Sequence, residues 1–148
     1  MRRKVFSFLS PIHKATRQVS VHLAAPCAAE GVNPPEGHLL SYLRSYGPCP
    51  VGTLLRVFGH KPSTATSMLA RLADRGLIVR ESSPEDRRLV LIGLTRRGAA
   101  VADRLRERLT ALEASIRYRL DDREIEGFRA VMRAIEAATL PERKERSS

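Results

Sequence analysis

Between Arg75 and Gly98 the chain carries two apolar runs, Leu77–Glu81 and Leu89–Leu94, and between them a short polar segment in which two arginines stand side by side. The runs are rich in Leu, Ile and Val. The intervening Ser82-Ser83-Pro84-Glu85-Asp86 has the composition of a turn, so the segment reads as a β-hairpin with a charged tip. No other part of the chain reads convincingly as strand. A protein with one basic-tipped hairpin and otherwise helical patterning has few architectures open to it, and what precedes the hairpin narrows them further.

Two short helices lead directly into it. Val51, Leu54, Leu55 and Phe58 fall at i, i+3, i+4 and i+7 after Pro50, and Gly59 offers a left-handed stop. From about Pro62 a second helix repeats the spacing with Ala65, Met68, Leu69 and Leu72 and ends at Gly76. Two such helices joined by a tight turn containing Gly make a helix-turn-helix, and with the hairpin behind them a winged helix-turn-helix. Upstream, Asn33-Pro34-Pro35-Glu36 has the composition of a helix start, with a side-chain acceptor, prolines pre-set for the first turn and a carboxylate placed for a capping box. The helix it opens carries Leu39, Leu40, Leu43 and Tyr46 and ends at Gly47-Pro48.

Longer amphipathic segments flank this centre. Val5, Phe8, Leu9, Ile12, Ala15, Val19 and Leu23 form one stripe of an N-terminal helix that Pro26 is expected to close or kink. After Thr95, placed to cap, a long helix runs through Leu105, Leu109, Leu112, Ile116 and Leu120. A last one from about Asp121 carries Ile125, Phe128, Val131, Met132 and Ile135. The expected fold is therefore mainly α with a small β-hairpin. Residues 1–32 form an N-terminal dimerisation helix, 33–95 the winged helix-turn-helix, 96–140 the C-terminal dimerisation helices and 141–148 a polar tail. The terminal helices outsize the core they flank, so a second copy of the chain is expected to cover their stripes in an intertwined homodimer.

With 26 Lys and Arg against 16 Asp and Glu, a formal net charge of +10 draws the chain toward polyanions whatever its fold. No apolar run reaches the roughly 20 residues of a membrane span, and no signal-type core follows the first residues; a cytoplasmic protein without a membrane partner is expected. Cys27 and Cys49 make neither a disulfide scaffold nor a CxxC pair. His13, His22, His38 and His60 have no ligand spacing, so no metal or other cofactor is expected. With no nucleophile-base-acid set, no phosphate loop and no clustered carboxylates, an enzyme is not expected either.

If Ala65, Met68, Leu69 and Leu72 face inward, a rotation of about 100° per residue turns Ser63, Ser67, Ala70 and Asp74 outward, with Thr64, Thr66 and Arg71 beside them. That small, polar face fits a major groove; Lys61 and Arg71 bracket it with positive charge. At the hairpin tip, Arg87 and Arg88 suit a minor groove, where negative potential is focused and a weakly hydrated guanidinium is favoured. Asp86 is expected to order the tip by pairing with Arg88. Arg96 and Arg97 sit against the dipole of the helix they begin and answer either to phosphate or to solvent.

The run Thr64-Ala-Thr-Ser-Met-Leu-Ala-Arg-Leu-Ala-Asp-Arg-Gly-Leu-Ile-Val-Arg80, with Asp86-Arg-Arg88 and Leu94-Thr-Arg-Arg-Gly98 after it, resembles the multiple antibiotic resistance regulator (MarR) family of bacterial transcription factors, and the resemblance extends from the first helix to the last. It implies a homodimer with interlocked terminal helices whose two winged domains read a pseudo-palindromic double-stranded operator, usually repressing by blocking promoter access. By position, Thr66, Ser67 and Arg71 match recognition-helix contacts and Arg88 matches the wing arginine; Ser67 stands where some relatives carry a long basic side chain. Release by a small phenolic or other aromatic effector is a further implication. Cys27 lies near the end of the first helix, whereas the peroxide-sensing branch keeps its thiol near the beginning, which argues against a sensor role there; Cys49, just before Pro50 where a Ser or Thr cap is usual, reads as a buried or capping thiol. The competing reading is a winged-helix module that holds a protein partner without sequence-specific DNA binding; paired arginines at a wing tip serve little purpose there.

Overall fold

A computed structural model describes residues 6–140 and contains six helices and three short strands. In chain order these are α1 (Leu9–Ala29), α2 (Pro34–Tyr46), β1 (Cys49–Pro50), α3 (Val51–Phe58), α4 (Pro62–Asp74), β2 (Ile78–Ser82), β3 (Val90–Leu94), α5 (Arg96–Arg117) and α6 (Asp122–Thr139). The chain divides after Arg108 into two units, so α5 begins in the first and ends in the second.

In the first unit the helix boundaries follow local chemistry. Asn33 accepts from the Glu36 amide at 2.9 Å while the Glu36 carboxylate accepts from the Asn33 amide at 3.0 Å, the reciprocal capping box expected at the start of α2. At the end of α4, Gly76 takes φ +67°, a conformation costly for any residue with a Cβ. Its amide donates to the Ala73 carbonyl and the Leu77 amide to the Leu72 carbonyl, so two otherwise orphaned carbonyls are satisfied as the chain turns into β2.

Two expectations need correction. Pro26 does not close α1: the helix continues to Ala29 with the proline inside it, because a single lost amide donor in the last turns is tolerated where the following residue is anchored. Cys27 supplies that anchor, buried to 3% exposure in the core. The sheet also has three strands rather than two, in the order β1-β3-β2. β2 and β3 form the hairpin, in register Ile78↔Leu94 through Ser82↔Val90; Cys49 and Pro50 add an antiparallel edge against Ile92 and Leu91. Pro50 is tolerated because an edge strand leaves one side of its backbone unpaired.

The core gathers Leu39, Leu40 and Leu43 of α2, Leu54 of α3, Met68, Leu69 and Leu72 of α4, Leu77, Ile78 and Ile92 of the hairpin region, and Val101, Ala102 and Leu105 of α5. Two glycines mark where backbones approach. At Gly37 a Cβ would lie 3.1 Å from both Cys27 Sγ and Leu105 Cδ1, and at Gly98 a Cβ would collide with the Leu77 carbonyl oxygen. The first turn of α5 therefore seats directly on the backbone where the wing begins.

The expected stripe of α1 is mostly uncovered in a single chain: Phe8, Leu9 and Val19 are exposed, and Val5 lies outside the described residues. In the second unit α6 opens on another capping box, Asp121 with Glu124, yet buries none of its side chains completely; Phe128 is 61% exposed.

Candidate nucleic-acid interface

The inward and outward faces of α4 fall as its spacing dictates. Ala65, Met68, Leu69 and Leu72 are buried, while Lys61, Ser63, Thr64, Thr66, Ser67, Ala70 and Asp74 are exposed. The helix starts without a side-chain cap. Lys61 occupies the N-cap position and supplies no acceptor, and Pro62 has no N–H, so the Ser63 and Thr64 amides have no partner among the described residues. Unpaired first-turn amides together with the positive end of the helix dipole favour an anion. Thr66 donates its hydroxyl proton to the Pro62 carbonyl at 2.8 Å. That leaves its oxygen lone pairs facing out, able to accept from a donor but not to give.

Arg71, exposed beside this face, is also held from inside the fold. Its Nε donates to Glu36 Oε1 at 3.0 Å. Glu36 is 1% exposed, and its other oxygen accepts from Arg75 at 3.3 Å as well as from the Asn33 amide. Arg75 also donates to the Gly31 carbonyl. An unpaired carboxylate at that depth costs on the order of several kcal/mol, and the two guanidinium groups remove most of that penalty. In the sequence Glu36 was legible only as half of a capping box, because its partners lie 35 and 39 positions away.

The wing tip is built from local turns. Ser83, 7% exposed, accepts weakly from the Glu85 and Asp86 amides, while its own amide donates to the Leu89 carbonyl at 2.8 Å. Asp86 Oδ1 accepts from the Arg88 backbone amide at 3.0 Å. Asp86 thus meets the Arg88 main chain rather than its guanidinium: an Asx side chain reaches the amide two residues on with little loss of entropy. Both Arg87 and Arg88 remain exposed, and neither pairs with a carboxylate among the described residues. Ser83 was not singled out in the sequence; its position before Pro84 and two residues before an acidic pair was the available signal.

Thr95 ties the wing to the rest. Its hydroxyl donates to the Gly76 carbonyl at 2.6 Å and accepts from the Gly98 amide at 3.0 Å, capping α5, and its amide donates to the Leu77 carbonyl at 3.1 Å. Arg97 donates to the Arg75 carbonyl at 3.2 Å, an answer to its unfavourable dipole position that was neither phosphate nor solvent. Cys27 and Cys49 are free thiols, and burial pushes both above their ordinary pKa. Beside α3, His38 packs edge-on to Phe58 with ring centroids 4.9 Å apart; burial, and secondarily the charge of His60, lowers its pKa.

A helix pair closed by a three-stranded wing, with α4 presenting a polar outer face, defines a winged helix-turn-helix protein. The MarR family model matches residues 32–90. Over 101 residues the chain is 30% identical to the uncharacterized HTH-type transcriptional regulator YwhA of Bacillus subtilis, covering 68% of this chain and 73% of that protein. The fold is similar to that of MepR of S. aureus in a crystal structure of its DNA complex, with a TM-score of 0.80 at 17% identity over 92% of this chain and all of the other. A probable transcriptional regulator from Pseudomonas aeruginosa matches with a TM-score of 0.66 at 26% identity, covering 84% of this chain and 92% of that one. The chain belongs to the MarR family, whose members are transcription regulators and not enzymes. No helix among the described residues is long and apolar enough to cross a membrane.

Proposed function

We propose that the chain is a cytoplasmic homodimer that binds a pseudo-palindromic operator in double-stranded DNA and represses by occupying the promoter. Lys61, Ser63, Thr64, Thr66 and Ser67 enter the major groove, Arg87 and Arg88 the adjacent minor groove, and Asp86 holds the wing tip in shape. The observation that carries this reading is the pattern of charge on α4 and the wing: Lys61, Arg87 and Arg88 are exposed and lack a carboxylate partner among the described residues, and two free amides open the helix beside Lys61. Such a surface attracts polyanions, and backbone phosphates would neutralise it with release of counterions from the DNA. Thr66, able only to accept, suits an exposed base amino group. Arg71 is left out of the direct contacts because Glu36 already holds it.

Dimerisation is supported by the exposed apolar side chains of α1, and separately by those of α6. Release by a small aromatic effector, which the family resemblance implies, belongs to the same reading.

A footprint of the purified protein on the DNA flanking its own gene tests the proposal. Protection of two half-sites spaced about one helical turn, roughly 34 Å, is the expected result, with light scattering giving twice the chain mass. Binding should weaken on the order of a thousandfold between about 50 and 200 mM salt if about six phosphates are neutralised. Arg88→Ala should lower affinity for every sequence, and Thr66→Ala should shift preference among operator variants by about 1–3 kcal/mol. Salt-independent binding, or titrations untouched by both substitutions, would refute it.

A further inference from the structure

We propose that Glu36 is a positioning residue for DNA recognition: from inside the fold it stands in for a phosphate, holding Arg71 and Arg75 so that neither guanidinium is free to grip the backbone of arbitrary DNA. The inference rests on the DNA-binding reading above. Thr64, Ser67 and Arg71 stand at i, i+3 and i+7 on α4 and Arg75, its C-cap, follows at i+11, so the two arginines continue the line of the groove-facing residues. Their side chains are 48% and 43% exposed, within reach of a docked duplex, whereas Glu36 is 2% exposed.

Of the cations on α4 and the wing, Lys61, Arg80, Arg87 and Arg88 have no carboxylate partner among the described residues; Arg71 and Arg75 share one. That partner is no mobile surface acid. The capping box fixes the Glu36 carboxylate against the Asn33 amide, so it cannot follow an arginine that swings outward. Arg75 is held a second time by the Gly31 carbonyl. The same bonds join the start of α2 and the end of α1 to α4, and so set the orientation at which α4 meets DNA.

A cation that neutralises one phosphate steepens the salt slope by about 0.9 and, at about 0.1 M salt, adds roughly eightfold affinity relative to 1 M for any sequence. Two free arginines would add that gain at every site in a genome, target or not, and so hold the protein more tightly on non-target DNA. Glu36 withholds it, leaving specificity to the groove-facing residues.

The test uses the full chain and two probes: a duplex that the wild-type protein selects from a random-sequence pool, and a mixed-sequence duplex of about 30 base pairs, long enough for two half-sites a turn apart. Glu36→Gln keeps an acceptor for the Asn33 amide but removes the charge. Fluorescence anisotropy should show mixed-sequence affinity rising at least about tenfold at about 0.1 M salt and the salt slope steepening by about 1–2, with the selected duplex gaining by a similar factor. A folded Glu36→Gln protein with the wild-type slope and mixed-sequence affinity would overturn the proposal and leave Glu36 a cap. If that variant does not fold, the wild-type protein decides: the Arg71 Nε–Hε signal in NMR should stay unshifted and protected from exchange when the mixed-sequence duplex is added, and a shift would overturn the idea. A wild-type protein that selects no sequence and binds neither duplex would refute the DNA-binding reading itself, and this proposal with it.

Discussion

Replacing Thr95 by Ala removes the hydroxyl that joins three elements at the base of the wing. Two hydrogen bonds are lost. The first caps α5 by accepting from the Gly98 amide at 3.0 Å, and the second donates to the Gly76 carbonyl at 2.6 Å. An N-cap threonine contributes about 1 kcal/mol and an ordinary hydrogen bond about 1 kcal/mol, so the upper figure is about 2 kcal/mol. Thr95 is half-buried; water can reach part of the site and lowers the expected loss to between about 1 and 2 kcal/mol. The Thr95 amide bond to the Leu77 carbonyl is untouched, so the hairpin should survive. For a chain of 148 residues this corresponds to a fall in Tm of roughly 2–8 °C. The assay is urea and thermal unfolding of wild type, Thr95→Ala and Thr95→Ser at one fixed protein concentration, because any self-association makes apparent stability depend on concentration. Serine keeps the hydroxyl and should recover most of the loss. If alanine is indistinguishable from wild type, or serine is as damaging as alanine, the hydroxyl is not what secures the wing.

Gly98→Ala should be more severe than any cap deletion: its Cβ meets the Leu77 carbonyl oxygen, which is backbone and cannot rotate away, so a loss of at least about 3 kcal/mol or an unfolded product is expected on circular dichroism. Leu40→Ala, at a fully buried position where α2 enters the core, should lower the urea-derived stability by about 2–5 kcal/mol. Glu30 is held below its ordinary pKa of 4.5 chiefly by the hydrogen bonds from Arg104, both at 2.7 Å. Its contribution is therefore fully present above pH 4.5 and lost as pH falls through the lower folded value. The stability gap between wild type and Glu30→Gln should accordingly narrow in acid, and a gap that stays constant from neutral pH to below that range would contradict the assignment. Cys27, buried with a raised pKa, should resist iodoacetamide in the native protein and react in urea, as followed by mass spectrometry; equal rates in both would show that the thiol is open.

Periodicity and punctuation determined much of this protein in advance. The spacing of Ala65, Met68, Leu69 and Leu72 set which face of α4 is buried; Asn33 and Glu36 set where α2 begins; Gly76 ends α4 and Thr95 caps α5 through bonds to near neighbours. Such signals are legible because helix rotation, caps and turns depend on neighbours within a few residues. The two-residue strand β1 was not, since its only reason to be a strand is Leu91 and Ile92 some 40 positions away. Nor was the fate of Pro26, which depended on the core around Cys27.

The tertiary structure alone decided the charges. In the sequence Arg71 and Arg88 are equivalent cations near candidate DNA-facing residues; in the fold one is tied to a buried carboxylate and the other projects unpaired. Charge acts through space and depends on burial, so a sequence supplies the number of cations but not which of them already have a partner. Here that difference separates the arginines left without a carboxylate among the described residues, such as Arg88, from Arg71 and Arg75, which Glu36 holds.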